Sequence, residues 1–154
     1  MGTEIERKFL VTGENWRKLA QGIKYRQGYL CTEKERTVRV RTIADKGYLT
    51  IKGKSNGISR LEYEYEIPLE EADELLDRLC RKPLIAKKRY TIALKGFIWE
   101  VDEFFDENNG LIVAEIELEY EEQPFSKPDW IGREVSDDIR YFNSSLIDLP
   151  YTRW

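Results

Sequence analysis

The chain has 154 residues, enough for one domain with a sizeable core, and its 41% apolar content favours folding over disorder. Its 25 basic and 29 acidic side chains sum to −4, and a pI near 5.1 gives no basic excess for binding nucleic acid. Histidine is absent from the sequence, which removes Ser-His-Asp triads, His-based acid/base work and His-rich zinc sites.

The first predicted element is a strand over Thr3–Val11. Glu4, Glu6 and Lys8 alternate there with Ile5, Arg7 and Phe9, so period two places the three charges on one face. A short helix is expected over Gly13–Ala20 and ends at Gly22. Ile23–Leu30 reads as a strand with Tyr25, Gln27 and Tyr29 on one side, followed by a turn at Thr32–Lys34. Glu35–Ile43 alternates Val38 and Val40 with Thr37, Arg39 and Arg41. Asp45-Lys46-Gly47 signals a hairpin into Tyr48–Lys54, where Leu49 and Ile51 oppose Thr50, Lys52 and Lys54.

A loop over 53–57 leads to Arg60–Leu69, with Leu61, Tyr63, Tyr65 and Ile67 opposite Glu62, Glu64 and Glu66. Leu69–Cys80 switches to helical period: Leu69, Ala72, Leu75, Leu76 and Leu79 form one stripe. Leu84–Leu94 is a strand with Lys87 and Arg89 on one face. Lys95-Gly96 turns it into Phe97–Phe105, which carries Glu100 and Asp102. Leu111–Glu121 alternates Ile112, Ala114, Ile116 and Leu118 with Glu115, Glu117 and Glu119. Pro124 and Pro128 open an irregular stretch, and Ser136–Leu146 is expected as a closing helix capped by Ser136.

About eight strands joined by tight turns require antiparallel neighbours, and a sheet of that size tends to close into a barrel. The expected class is mainly β (α+β): one domain over residues 1–154, with an eight-stranded antiparallel barrel and a few flanking helices. Cys31 and Cys80 lack metal-ligand spacing and read as reduced thiols of a cytoplasmic protein. Charged residues begin at Glu4, so no signal peptide is expected, and no apolar run approaches the roughly 18 residues of a membrane helix.

The charged faces are nearly single-signed. Arg39 with Arg41, Lys52 with Lys54, and Lys87 with Arg89 are basic. Glu62, Glu64 and Glu66, then Glu100 and Asp102, then Glu115, Glu117 and Glu119 are acidic. A solvated outer face accounts for any single row, but soluble surfaces usually mix the signs. Turned inward, such rows need a polyanion and divalent cations as occupants. Alternation alone leaves both orientations open.

The opening Glu4-Ile5-Glu6-Arg7-Lys8 resembles the Glu-x-Glu-x-Lys signature of the CYTH superfamily, the triphosphate tunnel metalloenzymes. Arg39/Arg41, Lys52 with Lys54, Glu62/Glu64, Lys87 with Arg89, Asp102 and Glu115-Ile116-Glu117 follow in that family's order, and Gly132–Tyr141 resembles its small bacterial members. The resemblance implies a closed barrel with the charges inside, forming a tunnel, and hydrolysis of triphosphates with Mg²⁺ or Mn²⁺.

It further implies Glu4, Glu6 and Glu117 as metal ligands, with Glu62, Glu64, Asp102 and Glu115 as additional ligands or as groups supporting them. Lys8, Arg39, Arg41, Lys52, Lys54, Lys87 and Arg89 would grip the phosphates, a task that suits Lys and Arg. Glu4, Glu6, Lys8, Arg39, Arg41, Lys52 and Lys87 form the implied catalytic set. Hard divalent cations prefer carboxylate oxygens; in a chain without histidine, a water aided by a glutamate is the expected nucleophile.

The compact chain favours inorganic triphosphate as a small-molecule substrate, cleaved to pyrophosphate and phosphate. Nucleoside or thiamine triphosphatase, class IV adenylyl cyclase and a non-catalytic polyphosphate or nucleotide binder stand as alternatives. Tyr25, Tyr29 and Trp130 are the aromatics available to stack on an organic group. No nucleic-acid or membrane partner is expected, and an uncovered outer apolar face would support a homodimer.

Overall fold

A computed structural model describes residues 2–154. In chain order it contains strands β1 (Thr3–Val11), β2 (Ile23–Glu33), β3 (Arg36–Ile43), β4 (Lys46–Gly53) and β5 (Ser59–Ile67), helix α1 (Leu69–Arg78), strands β6 (Ile85–Leu94), β7 (Phe97–Phe104), β8 (Ile112–Glu117) and β9 (Ile131–Glu134), and helix α2 (Ser145–Asp148).

Alternation and tight turns produce an antiparallel ring in the order β5-β4-β3-β2-β6-β7-β8-β1. Three residue pairs close it: Thr3 with Leu61, Glu4 with Arg60 and Ile5 with Ser59. On its other edge β1 pairs with β8, from Glu6–Glu117 to Leu10–Val113. Beyond the closure, β1 is joined by β9 through Phe9–Glu134 and Val11–Ile131. The first strand is therefore shared by three neighbours.

The charged rows face inward and the apolar rows mostly outward. Two aromatic-rich segments cover β1, β7 and β8, burying Phe9, Trp16, Trp99, Ile116 and Trp130 in one cluster. Helix α1 covers β3 and β4 with Ala72 and Leu76 against Val40, Leu49 and Ile67, but it ends at Arg78 and Leu79, expected on its apolar stripe, is exposed. The interior is itself layered. Ile85, Phe104, Val113 and Tyr29 share the parity of the charged rows, yet they pack with Val135, Tyr141, Leu146 and Ile147 of the C-terminal segment. That apolar layer lies at one end of the charged interior.

Four expectations change. The turn of the β3–β4 hairpin is Ala44-Asp45, with Ala44 at φ 53°. Gly47 lies inside β4, where an added Cβ would sit 2.6 Å from the Ala72 Cβ. Residues 13–20 form only a 3-10 turn over Asn15–Lys18, without a side-chain cap, because Trp16 is buried and ties its indole N–H to the Gly13 carbonyl. The strand expected to reach Glu121 ends at Glu117, and the proline-containing stretch beyond it supplies the unpredicted β9.

The closing helix over Ser136–Leu146 is replaced by a 3-10 turn at Ile139–Tyr141 and the short α2. Ser136 caps nothing: its hydroxyl accepts from the Lys8 backbone N–H at 2.9 Å and donates to Glu134 at 2.7 Å. Phe142 is extended at φ −71°, ψ 134°, which carries the chain back to the barrel.

Candidate active site

The inward faces surround a cavity of about 190 Å³. β1 supplies Glu4, Glu6 and Lys8; β3 supplies Arg39 and Arg41; β4 and β5 supply Lys52 and Glu62. Lys87 and Arg89 come from β6, and Glu115 and Glu117 from β8. These residues are separated by up to the length of the barrel sequence, and ring closure brings them to one space.

Opposite charges meet across strands. Lys52 Nζ donates to both Glu4 oxygens at 3.1 and 3.0 Å, and Arg60 Nε donates to Glu4 Oε1 at 3.2 Å. Burial raises the pKa of Glu4, but these two cations outweigh it and draw the carboxyl down to about 2. Lys8 lies 3.8 Å from both Glu6 and Glu115. Burial, followed by the charge of Glu115, pushes Glu6 well above the carboxylate range; for Glu115 burial is outweighed by Lys8, a hydrogen bond from Glu6, Arg89 and Lys87, which hold it low. Of this carboxylate pair, Glu6 is the member pushed up and Glu115 the member held low.

Asp102 sits behind the wall. Arg89 grips it through Nε at 2.7 Å and Nη2 at 2.9 Å, and Lys87 Nζ donates to it at 2.8 Å. Its oxygens orient two cations. Burial lowers Lys87 to about 7, against the opposing pull of Asp102. Glu64 plays a similar part for Arg41 at 3.0 Å and Arg39 at 3.6 Å, and accepts from Thr50 Oγ1 at 2.8 Å. Among the described residues, the buried Nε atoms of Arg39 and Arg41 have no hydrogen-bond partner. An unsatisfied buried N–H is costly, so both are available to donate to an anion.

The acidic corner complements this. Glu6 and Glu117 are register partners on β1 and β8. Burial, then the charges of Glu4 and Glu100, raise Glu117. It makes no ion pair among the described residues, although the charge of Lys52 acts on it. Hard carboxylate oxygens in such a corner fit a divalent cation. No group of three or more such ligands converges among the described residues, so a divalent ion bound here would complete its shell with waters or substrate oxygens.

A CYTH domain model matches residues 2–148. The chain belongs to the CYTH family. A protein of Acetivibrio thermocellus named inorganic triphosphatase is 60% identical over 98% of this chain and 97% of its own length. A Nitrosomonas europaea protein of the same name is 36% identical, covering 96% and 99%. The crystal structure of an inorganic triphosphatase superposes with a TM-score of 0.65 at 31% identity, covering 95% of this chain and 99% of that one.

Within this CYTH barrel, most of the residues expected at the site line the cavity, with Glu64 and Asp102 directly behind it. Lys54 differs. It follows the end of β4, is exposed, and borders a separate hollow with Lys34, Thr37 and Arg60. Reading the strand one residue too far placed it inside. Arg60, Glu100, Asn143 and Ser144 also line the cavity and were not among the expected site residues. Arg60 shares the parity of Glu62, so its place was readable. Nothing local in the sequence marks Asn143. Trp130 packs in the outer cluster, while the Tyr25 ring lies 5.0 to 5.8 Å from Arg41, Lys87 and Arg89.

Proposed function

We propose that this protein hydrolyses inorganic triphosphate to pyrophosphate and phosphate. One observation carries the choice of substrate: the cavity is small and lined almost wholly by charged and polar groups. Its volume of about 190 Å³ lies below the roughly 300–1,000 Å³ of pockets for larger organic ligands. Tyr29 is the one aromatic in its lining, and it is anchored in the apolar end layer. A polyanion without an organic group fits this chemistry. The relatives named inorganic triphosphatase support the same reading.

The chain's own residues then divide the work. Arg39, Arg41, Lys52, Lys87, Arg89 and Lys8 bind and orient the phosphate oxygens, with Arg60 as a further cation at the same wall. Their fixed charges stabilise negative charge that develops during transfer to water. Asp102 and Glu64 hold these cations in place. Glu4, Glu6 and Glu117 would hold Mg²⁺ or Mn²⁺, with Glu62 and Glu115 beside them. A divalent ion there supplies Lewis-acid polarisation of phosphoryl oxygens and a lowered pKa for water.

The substrate panel is the test. Phosphate release should be measured from inorganic triphosphate, ATP, thiamine triphosphate and pyrophosphate, with Mg²⁺ and with Mn²⁺. Inorganic triphosphate should give the highest kcat/KM. Equal or faster release from ATP or thiamine triphosphate would overturn the substrate choice, and silence on all triphosphates would overturn hydrolysis itself.

A homodimer belongs to this reading. Ile51, Leu61, Tyr63 and Tyr65 form an outward strip on β4 and β5, with 40 to 56% exposure, beyond the reach of α1. Contiguous apolar surface of this kind marks association sites. The free thiols Cys31 and Cys80 fit a reducing compartment, in keeping with a cytoplasmic location.

A further inference from the structure

Asn143 enters the charged cavity from outside the barrel. It follows the extended Phe142 and precedes α2, whose Leu146 and Ile147 are buried in the apolar end layer. The Phe142 carbonyl accepts from the N–H groups of Ser145 and Leu146 at 2.9 and 3.3 Å, which fixes the segment's entry. The Asn143 side chain then meets two strands at once. Its Oδ1 accepts from Lys87 Nζ at 3.1 Å and from Gln27 Nε2 at 2.9 Å.

The chemistry of the donors sets this arrangement. In its charged form, which the bonded Asp102 favours, Lys87 only donates, so Asn143 turns its oxygen toward it. Gln27, fully buried on β2, must then turn its amide nitrogen toward the same oxygen. Its own Oε1 is left buried without a partner among the described residues. An unsatisfied buried acceptor is unfavourable, so the fold retains it against a compensating gain. The contact that accompanies it is the one from Lys87 Nζ to Asn143 Oδ1.

Lys87 needs to be placed because its charge sits on a flexible four-carbon stem. Two acceptors on different elements, Asp102 at 2.8 Å and Asn143 at 3.1 Å, define where its Nζ stands. With Asp102 alone, the ammonium is free to collapse onto one carboxylate. With both, it is held at the cavity wall with a third N–H remaining.

We propose that Asn143 is a positioning residue: its amide oxygen, carried in by the C-terminal segment, holds the Lys87 ammonium where it meets a substrate phosphate. This rests on the triphosphatase reading.

The test is kinetic. Asn143→Leu keeps the branched shape and removes the acceptor; Asn143→Asp keeps an oxygen in its place. The expected result is a loss of about 10- to 100-fold in kcat/KM for tripolyphosphate in N143L, the size of one lost charge-assisted hydrogen bond. N143D should stay within about threefold of wild type, on the same reasoning that the acceptor survives. Because the effect runs through Lys87, adding N143L to Lys87→Gln should cost little more than K87Q alone.

Equal loss in N143L and N143D, no loss in either, or a full additional loss in the double variant would overturn the proposal. Thermal midpoints are measured alongside; should N143L not fold, Asn143→Met, an adaptable apolar side chain, takes its place. A wild-type enzyme inactive on tripolyphosphate would remove the triphosphatase reading and this proposal with it. An active wild type with unaffected variants removes only the positioning role.

Discussion

Glu4 and Glu6 stand two residues apart on one strand and yet have opposite protonation tendencies. Glu4 faces Lys52 and Arg60; Glu6 faces Glu115. If both carboxylates serve the divalent ion, Glu4→Ala and Glu6→Ala should each lower kcat by roughly 100-fold or more, the scale of losing electrostatic support for a transition state. Circular dichroism should show the fold retained. Wild-type turnover in both variants would refute their assignment. Outside the cavity, Arg7 grips Glu134 on β9 through contacts of 2.9 and 2.6 Å. The hydrogen bonds from Arg7 hold Glu134 below its ordinary value of 4.5. A lowered carboxylate pKa means that this contribution is present above about 4.5 and is lost as pH falls through the folded value. Glu134→Gln should therefore flatten the acid limb of a stability–pH curve. An unchanged limb would show that this half-buried pair contributes nothing measurable, as many solvent-accessible ion pairs do.

Among the elements, α1 and β4 constrain each other through a missing side chain. Gly47 lets Ala72 approach so closely that an added Cβ would lie 2.6 Å from the Ala72 Cβ and 3.1 Å from the Ile67 carbonyl oxygen. Gly47→Ala should cost about 1–3 kcal/mol, as overpacking does. Denaturant unfolding measures this, and wild-type stability would show that α1 shifts freely. Helical periodicity over Leu69–Leu79 was readable because α1 lies on the sheet by one stripe. The C-terminal segment was not. Ile139 is exposed and Tyr141 buried, and Asn143 points into a charged cavity, so no single period describes it.

For the whole molecule, the barrel separates two surfaces of different chemistry. Its interior pairs a basic wall with an acidic one, and β1 belongs to both because Glu4, Glu6 and Lys8 share its inward face. The exterior is covered by α1 and by the aromatic segments, but not along Ile51, Leu61, Tyr63 and Tyr65. If that strip joins two copies, sedimentation should give a dimer, and Tyr63→Glu should shift it to monomer without changing the circular dichroism. A monomeric wild type at micromolar concentration would remove the dimer. Because the strip lies on the outer face, the same substitution should leave triphosphate turnover near wild type if the tunnel works alone.

The sequence by itself determined eight of the nine strands, their alternation, the single sign of nearly every charged row and, through its resemblance to the CYTH family, the order of the expected site residues. Period two states which side chains share a face, and tight turns state which strands are neighbours. It left open which face is inside, because alternation is symmetric. Only ring closure through Thr3–Leu61, Glu4–Arg60 and Ile5–Ser59 makes one face an interior. Tertiary structure also decided what distant groups do to one another. Lys54 falls outside because β4 ends one residue before it. Asp102 becomes a brace because Lys87 and Arg89 converge on it. Asn143 reaches Lys87 only because the chain's last segment folds back into the barrel, a contact between residues 56 positions apart that no local pattern encodes.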